Sequence, residues 1–204
     1  MLEAAADSRS PNLHPLVVLG VTSGMRRGEM LGLQLKDVDL DAAVLNVRHS
    51  LEDTKAGLTL KSPKTKTGKR DIHIPALAVE VLRAHKAEQD ELWLQLEIGI
   101  SKGRNRYVFE TFKDDTFGPV RPRAATRMFS TFIAKVDVPR ITLHELRHTA
   151  ATSALRAGEN ILAVSRRLGH AKTSITLGSY GHAIIGDDED IAANLEKRLS
   201  GLIP

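Results

Sequence analysis

Apolar and polar positions run along this chain with two periods, and the changes between them mark its elements. Pro15 stands where the first turn of a helix accepts proline, and the apolar run LVVLGV that follows predicts a helix closing near Gly24. From Arg26 a second helical pattern carries Glu29, Met30, Leu31, Leu33 and Leu35, until Asp37-Val38-Asp39 breaks it. Residues 43–49, AVLNVRH, alternate as a half-buried strand does. In residues 59–75, TLKSPKTKTGKRDIHIP, Thr67-Gly68 is a turn signal between a basic approach and the alternation Ile72, Ile74. That pattern predicts a β-hairpin with a lysine-rich tip, closed by Pro75. Residues 75–96 form an amphipathic helical pattern with Trp93 on its core face. Residues 98–121 read as loop around a short apolar core, Tyr107-Val108-Phe109, and a helix follows from about Arg123 to Lys135, ending before Pro139.

The stretch 141–182 is punctuated most clearly. Thr142-Leu143-His144-Glu145 fits a capping box, in which Thr142 starts the helix and Glu145 bonds back to the first amide. His144 then occupies the first turn, with Arg147 one turn on and nearly on the same face. Gly158 ends this helix, and a shorter one over roughly 160–168 ends at Gly169. Residues 189–203 place Ile191, Leu195, Leu199 and Leu202 on one face. Residues 1–10 read as a disordered tail or junction outside the fold. The division expected is 1–10, a folded unit over 11–186, and a C-terminal segment over 187–204. The class is α+β, many helices around a small antiparallel sheet.

Composition narrows the chemistry. The 204 residues are 42% hydrophobic and 26% charged, with no cysteine, which excludes disulfides and thiolate metal sites. No apolar run approaches a membrane span, and the N-terminus lacks a secretory layout, so a cytoplasmic protein without a membrane partner is expected. The net charge of +4 is modest, but lysine and arginine gather in 55–70 and 102–127. Such clusters suit a polyanion, because neutralised phosphates release counterions. For any single cluster, solvated surface charge is the better explanation.

Two chemistries compete for the central stretch. His144-Glu145-x-x-His148 is the H-E-x-x-H spelling of a zinc peptidase, with Glu159 or His170 available as a third ligand. Against it, the helix begins at the motif, Glu145 is occupied as a cap, and Arg147 would repel a dication. The other reading starts from Tyr180. A phenol, with an ordinary pKa of about 10, needs cations nearby before it attacks. Attack on a phosphodiester spreads negative charge over the non-bridging oxygens, which guanidinium groups clamp in pairs. A departing alkoxide needs a proton, which lysine or histidine can supply.

The chain holds that set in an order that resembles the catalytic domain of the tyrosine recombinases, the phage integrase family. Thr22-Ser23-Gly24-Met25-Arg26-Arg27-Gly28-Glu29-Met30-Leu31-Gly32-Leu33 resembles the first box, with Ser23 in place of the more usual threonine. Lys66-Thr67-Gly68 resembles the lysine-bearing β-turn, and Lys64 in the same KTKTGK run is a close rival. His144-x-x-Arg147, Leu168-Gly169-His170 and the segment 176–182 around Tyr180 resemble the remaining three boxes. The likeness spans roughly residues 12–185.

The resemblance implies a mostly helical DNA breaking-rejoining catalytic domain with a small three-stranded antiparallel sheet. It implies site-specific recombination or integration of a mobile element through a 3′-phosphotyrosyl link, without cofactor, metal or ATP. Tyr180 would be the nucleophile, and Arg26 and Arg147 the phosphate clamp. Lys66 would be the acid, His144 would move the tyrosine's proton, and His170 would hydrogen-bond the phosphate. His148 has no family role and is expected to be packed or hydrogen-bonded. DNA contacts are expected at Lys64, Lys69, Arg70, Arg121 and Arg123. Implied partners are a double-stranded attachment site, a homo-tetramer on synapsed DNA formed from free monomers, and an accessory DNA-bending factor. An N-terminal DNA-clamping domain is also implied, although only some twenty residues precede Arg26. Residues 187–204 would dock on a neighbouring protomer or pack on their own domain. DNA-bound, the protein would associate with the nucleoid. The same residues would also serve a type IB topoisomerase.

Overall fold

The computed structural model describes every residue except 56, 64–65, 97–104, 114, 185–187 and 200–204. It opens on α1 (Leu2–Ala6) and α2 (Leu13–Ser23), followed by α3 (Arg27–Leu31). The strands β1 (Val38–Asp39), β2 (Val44–Val47), β3 (Ser50–Thr54), β4 (Gly57–Lys61) and β5 (Arg70–His73) come next. Then follow α4 (Ala76–Gln95), the pair β6 (Glu110–Lys113) and β7 (Thr116–Pro119), and α5 (Pro122–Ile133). The C-terminal third is helical: α6 (Leu143–Arg156), α7 (Ile161–Leu168), α8 (Thr173–Tyr180) and α9 (Asp188–Leu199).

The fold is the expected α+β one, with an antiparallel three-stranded sheet in the order β1-β2-β5. Its strand pairing corrects the hairpin reading of residues 59–75. β4 pairs with β3 and not with β5, while β5 pairs with β2, Leu45 opposite Ile72. The cause lies in residues 50–54, SLEDT, whose acidic pair hides a strand that lacks apolar alternation. Gly57, at φ 109°, turns that strand into β4 and uses up the partner expected for β5. The lysine-rich segment is therefore a longer connection between two sheets, with one helical turn at Lys66–Gly68.

Two other boundaries move. The helix expected from Arg26 stops at Leu31, because Gly32 lies against Leu51 N and the next residues leave to bond Tyr107 and its neighbours. Val108 N–H donates to Leu33 O at 2.9 Å, and Leu35 N–H to Arg106 O at 2.9 Å. Residues 1–10 are not a tail: α1 packs on α2, and Ala5 is wholly buried in the main core.

That core is built from the apolar faces of α2 to α6, with Leu16, Leu19, Met30, Phe129 and Leu146 at or below 1% exposure. Gly20 lets α2 and α6 meet closely; a Cβ there would stand 2.8 Å from Leu146 Cδ1. Trp93 is buried as expected and stacks on Phe117 with ring centroids 4.3 Å apart. A second cluster, Ala151, Leu155, Val164, Leu168, Tyr180 and Ala183, joins α6 to α8. Both clusters draw on α6, where Leu143 and Leu146 join the first, and Ala151 and Leu155 of the second continue the face that carries His144 and His148. Among the described residues, no helix is long and apolar enough to cross a membrane.

Candidate active site

Two chain reversals, with an extended residue after the first, bring the site together. Gly24 ends α2 in the left-handed region, at φ 67°, and turns its carbonyl toward α6. Arg26 follows in extended conformation as the residue that begins α3. Gly169 ends α7 at φ 69° and delivers His170 beside both arginines.

Arg147 is the anchor. Its side chain is 2% exposed; Nη1 donates to Gly24 O at 2.6 Å and Nη2 to Leu168 O at 2.9 Å. Nη2 also lies 2.9 Å from His170 Nε2, which accepts because a guanidinium can only donate. His170 therefore carries its proton on Nδ1, 2.8 Å from Thr176 Oγ1, and the hydroxyl accepts. Burial, then the charge of Arg26, lowers the Arg147 pKa to about 10, with Glu29 opposing the shift. It stays charged at neutral pH. Burial and then the charges of Arg147, Arg26 and Arg70 push His170 down to about 4, so this imidazole is neutral there.

Arg26 is more open. Its side chain is 44% exposed, Nη1 pairs with Glu29 Oε1 at 2.8 Å, and Nη2 reaches Gly169 O at 3.5 Å. The two guanidinium groups thus bind successive carbonyls, Leu168 and Gly169, and share one edge of the site. Glu29 is buried; burial pushes its carboxyl up, but bonds and charges from Arg70 and then Arg26 outweigh this and hold it below the usual range.

Tyr180 closes α8 at 2% exposure, inside the second cluster. Its ring lies parallel to His170 at 6.5 Å and tilted against His148 at 5.2 Å. His148 in turn meets His144 edge-on at 4.8 Å. Burial and then the charges of His148, Arg147 and Arg26 lower the His144 pKa, so it too favours the neutral form. The structure thus brings Arg26, His144, Arg147, His170 and Tyr180 to one place. It adds His148, which the i,i+4 spacing from His144 already signalled and which the sequence reading left without a role.

The capping box is present: Glu145 Oε2 accepts the Thr142 amide, so the carboxylate a zinc peptidase needs as base is engaged at the start of the helix. Among the described residues, no third His, Cys, Asp or Glu joins His144 and His148 in a metal-binding group.

The lysines are less fully placed. Lys66 begins its one-turn helix, but its side chain lies outside the described part, and Lys64 lies outside the described residues altogether. The backbone of that turn abuts the site: Thr67 O would stand 3.1 Å from a Cβ on Gly169. Lys69, Arg121 and Arg123 are exposed. Arg123 lines a groove of about 760 Å³ with Arg26, Arg27 and His144, beside a second recess holding Lys55, Arg121 and Arg127. Arg27, Lys55 and Arg127 were not singled out in sequence because nothing marks one arginine or lysine among many until the fold lines them up. Arg70 is a correction. Its side chain is 7% exposed and bonded to Glu29, Gly68 O and Arg167 O, so it faces inward and not toward a groove.

Comparison with known proteins bears on the family and the fold. A family description, the phage integrase family, matches residues 1–184. The ICEBs1 integrase of Bacillus subtilis (strain 168) is 30% identical over 177 residues, 87% of this chain and 46% of the relative. The chain spans about half the length of the curated relatives it matches. The Tn1549 transposon integrase in complex with transposon right-end DNA superposes with a TM-score of 0.74 at 24% identity, covering 98% of this chain and 62% of that one. The catalytic domain of bacteriophage HP1 integrase superposes at 0.57 and 21% identity, covering 94% of this chain and 87% of that domain. At these identities the two superpositions establish the fold.

Proposed function

The chain belongs to the phage integrase family, and from that premise we propose that it is the catalytic domain of a site-specific DNA recombinase with Tyr180 as its nucleophile. One observation carries the reading: two guanidinium groups, tied to the adjacent carbonyls 168 and 169, converge with a neutral imidazole beside a buried tyrosine. Such a site is preorganised for the charge that develops when a phosphodiester is attacked.

In the proposed reaction the Tyr180 oxygen attacks the scissile phosphorus and forms a 3′-phosphotyrosyl bond as the bond to the 5′-oxygen breaks. Arg147 is held in place by its carbonyl partners. Of its five N–H groups, the bonds among the described residues take up three, leaving one on Nη1 and one on Nε for phosphate oxygens. Arg26, half-exposed at the mouth, supplies the second clamp. His170 already donates through Nδ1 to Thr176, and its Nε2 faces the Arg147 fork, where the phosphate would sit. His144 and His148, the former neutral, form a path from the phenol toward solvent by which its proton can leave. Lys66 is proposed to protonate the departing 5′-oxygen. A 5′-hydroxyl then reverses the attack on the phosphotyrosine, so the bond energy is conserved and no ATP is consumed.

The exposed arginines of the groove, Arg27 and Arg123, with Arg121, Arg127 and Lys55 beside them, suit a duplex backbone. α9 leaves Leu195 and Leu199 exposed at 52% and 43%, which supports docking of this segment on a neighbouring protomer in a tetramer on DNA. A separate DNA-clamping domain and an accessory bending factor belong to the same proposal.

The test is a nicked duplex spanning the junction of the encoding element, incubated in EDTA with wild type and Tyr180→Phe. The proposal expects a covalent protein–DNA adduct on a denaturing gel with wild type and none with the variant. An adduct that persists in the variant refutes the assignment.

A further inference from the structure

Arg70 lies in the lysine-rich segment, yet it turns away from solvent into the space between three catalytic segments. Its guanidinium forms a two-bond pair with the buried Glu29 carboxylate, Nη2 to Oε2 at 2.9 Å and Nη1 to Oε1 at 3.2 Å. The same carboxylate accepts the Arg26 amide on Oε2 and Arg26 Nη1 on Oε1, each at 2.8 Å. Arg70 Nε donates to Arg167 O at 2.6 Å, just before the Leu168–His170 turn, and Nη1 donates to Gly68 O at 3.1 Å in the Lys66 turn. Gly169 is packed against it: a Cβ there would stand 2.8 Å from Arg70 Nη1.

We propose that Arg70 is a positioning residue for strand cleavage, which sets Arg26 through Glu29 and is itself held by the backbones of the Lys66 turn and of Arg167. Glu29, 3% exposed, needs compensation for its buried charge. Were Arg26 its only cation, the carboxylate would draw that guanidinium inward and neutralise it. With Arg70 supplying a full two-bond partner from within, one carboxylate faces two guanidiniums. The surplus positive charge resides on the half-exposed Arg26, where a phosphate can meet it. The ties to Gly68 O and Arg167 O hold that side chain in place. Lysine cannot reproduce this, since its single ammonium lacks the planar fork that serves Glu29, Gly68 O and Arg167 O together.

The inference rests on the recombinase reading above, and Arg70→Lys tests it within the full chain. The substrate is the nicked junction duplex, with either an ordinary scissile phosphodiester or a methylphosphonate, whose neutral centre has less need of the clamp. At saturating protein, Arg70→Lys is expected to slow phosphodiester cleavage by ~10-fold or more, in the range set by losing one preorganised donor. The half-saturating protein concentration should stay near wild type, the rates are normalised to folded molecules because lysine leaves a buried carbonyl without its donor, and the methylphosphonate should be slowed by less than roughly threefold. A wild-type cleavage rate overturns the proposal, as does a loss, per folded molecule, that is equal on both substrates. Arg70→Met addresses direct DNA contact: the salt dependence of binding should keep its slope, and a slope shallower by about 0.9 overturns the proposal. If Arg70→Met does not fold, the Arg70→Lys rates decide alone. Absence of an adduct from wild type itself overturns the recombinase reading, a result distinct from normal wild-type cleavage beside an equally fast Arg70→Lys.

Discussion

Arg147→Lys should impair stability and cleavage at once, because the same guanidinium serves both. Arg147 is 2% exposed and bridges Gly24 O and Leu168 O, carbonyls from two chain reversals that are themselves buried. Lysine keeps the charge but presents one ammonium, which cannot span both carbonyls and the substrate. One buried carbonyl is then left without a donor, at a cost of about 1–3 kcal/mol. For a chain of this length each kcal/mol lowers the melting temperature by roughly 2–4 °C. The rate suffers separately, since removing a preorganised transition-state donor costs on the order of 10²–10³-fold. Urea unfolding measures the first effect, and adduct formation at saturating protein, normalised to folded molecules, the second. A folded Arg147→Lys with wild-type stability that cleaves within roughly threefold of wild type would refute the bridging role and the clamp together.

Gly169→Ala meets two obstacles, a left-handed φ of 69° and a Cβ placed 2.8 Å from Arg70 Nη1 and 3.1 Å from Thr67 O. It should lose about 1–3 kcal/mol from the backbone alone and more from the contacts, whereas Gly178→Ala, with open space at its Cβ, should cleave normally; equal behaviour of the two in melting and cleavage assays contradicts the packing. The pH dependence follows from His170. Its folded-state pKa of about 4 lies below the ordinary 6.5, so the fold holds it neutral. That contribution to stability is fully present above 6.5 and is lost as pH falls toward 4, because the unfolded chain binds the extra proton. Urea midpoints should therefore fall between pH 7 and 4.5 in wild type and fall less in His170→Gln; parallel curves would oppose the assignment.

How far the sequence reveals this molecule depends on which interactions are local. α2, α4, α6 and α7 were legible because their apolar period, capping residues and closing glycines lie within each segment. The Thr142–Glu145 cap told against the zinc spelling of the same five residues before any coordinates. Sheet pairing was not legible, since Ser50–Thr54 becomes a strand only when β4 covers it, and SLEDT has no apolar alternation of its own. α1 was read as a tail because five short residues gain their stability from α2 and not from their own pattern. The boxes around Arg26, Arg147, His170 and Tyr180 were readable by resemblance. Arg70 was not, because an arginine beside lysines looks like surface charge until Glu29, distant in sequence, is seen opposite it. His148 fell between, on the right face by spacing and without a purpose until Tyr180 folded against it.

The central claim is that Tyr180 becomes covalently joined to a 3′-phosphate. The most direct measurement digests the trapped protein–DNA adduct with trypsin and nuclease and locates the nucleotide by mass spectrometry. The account predicts a nucleotide on the peptide following Lys172, at Tyr180. A nucleotide on Tyr107, or on a serine or histidine elsewhere, would contradict it.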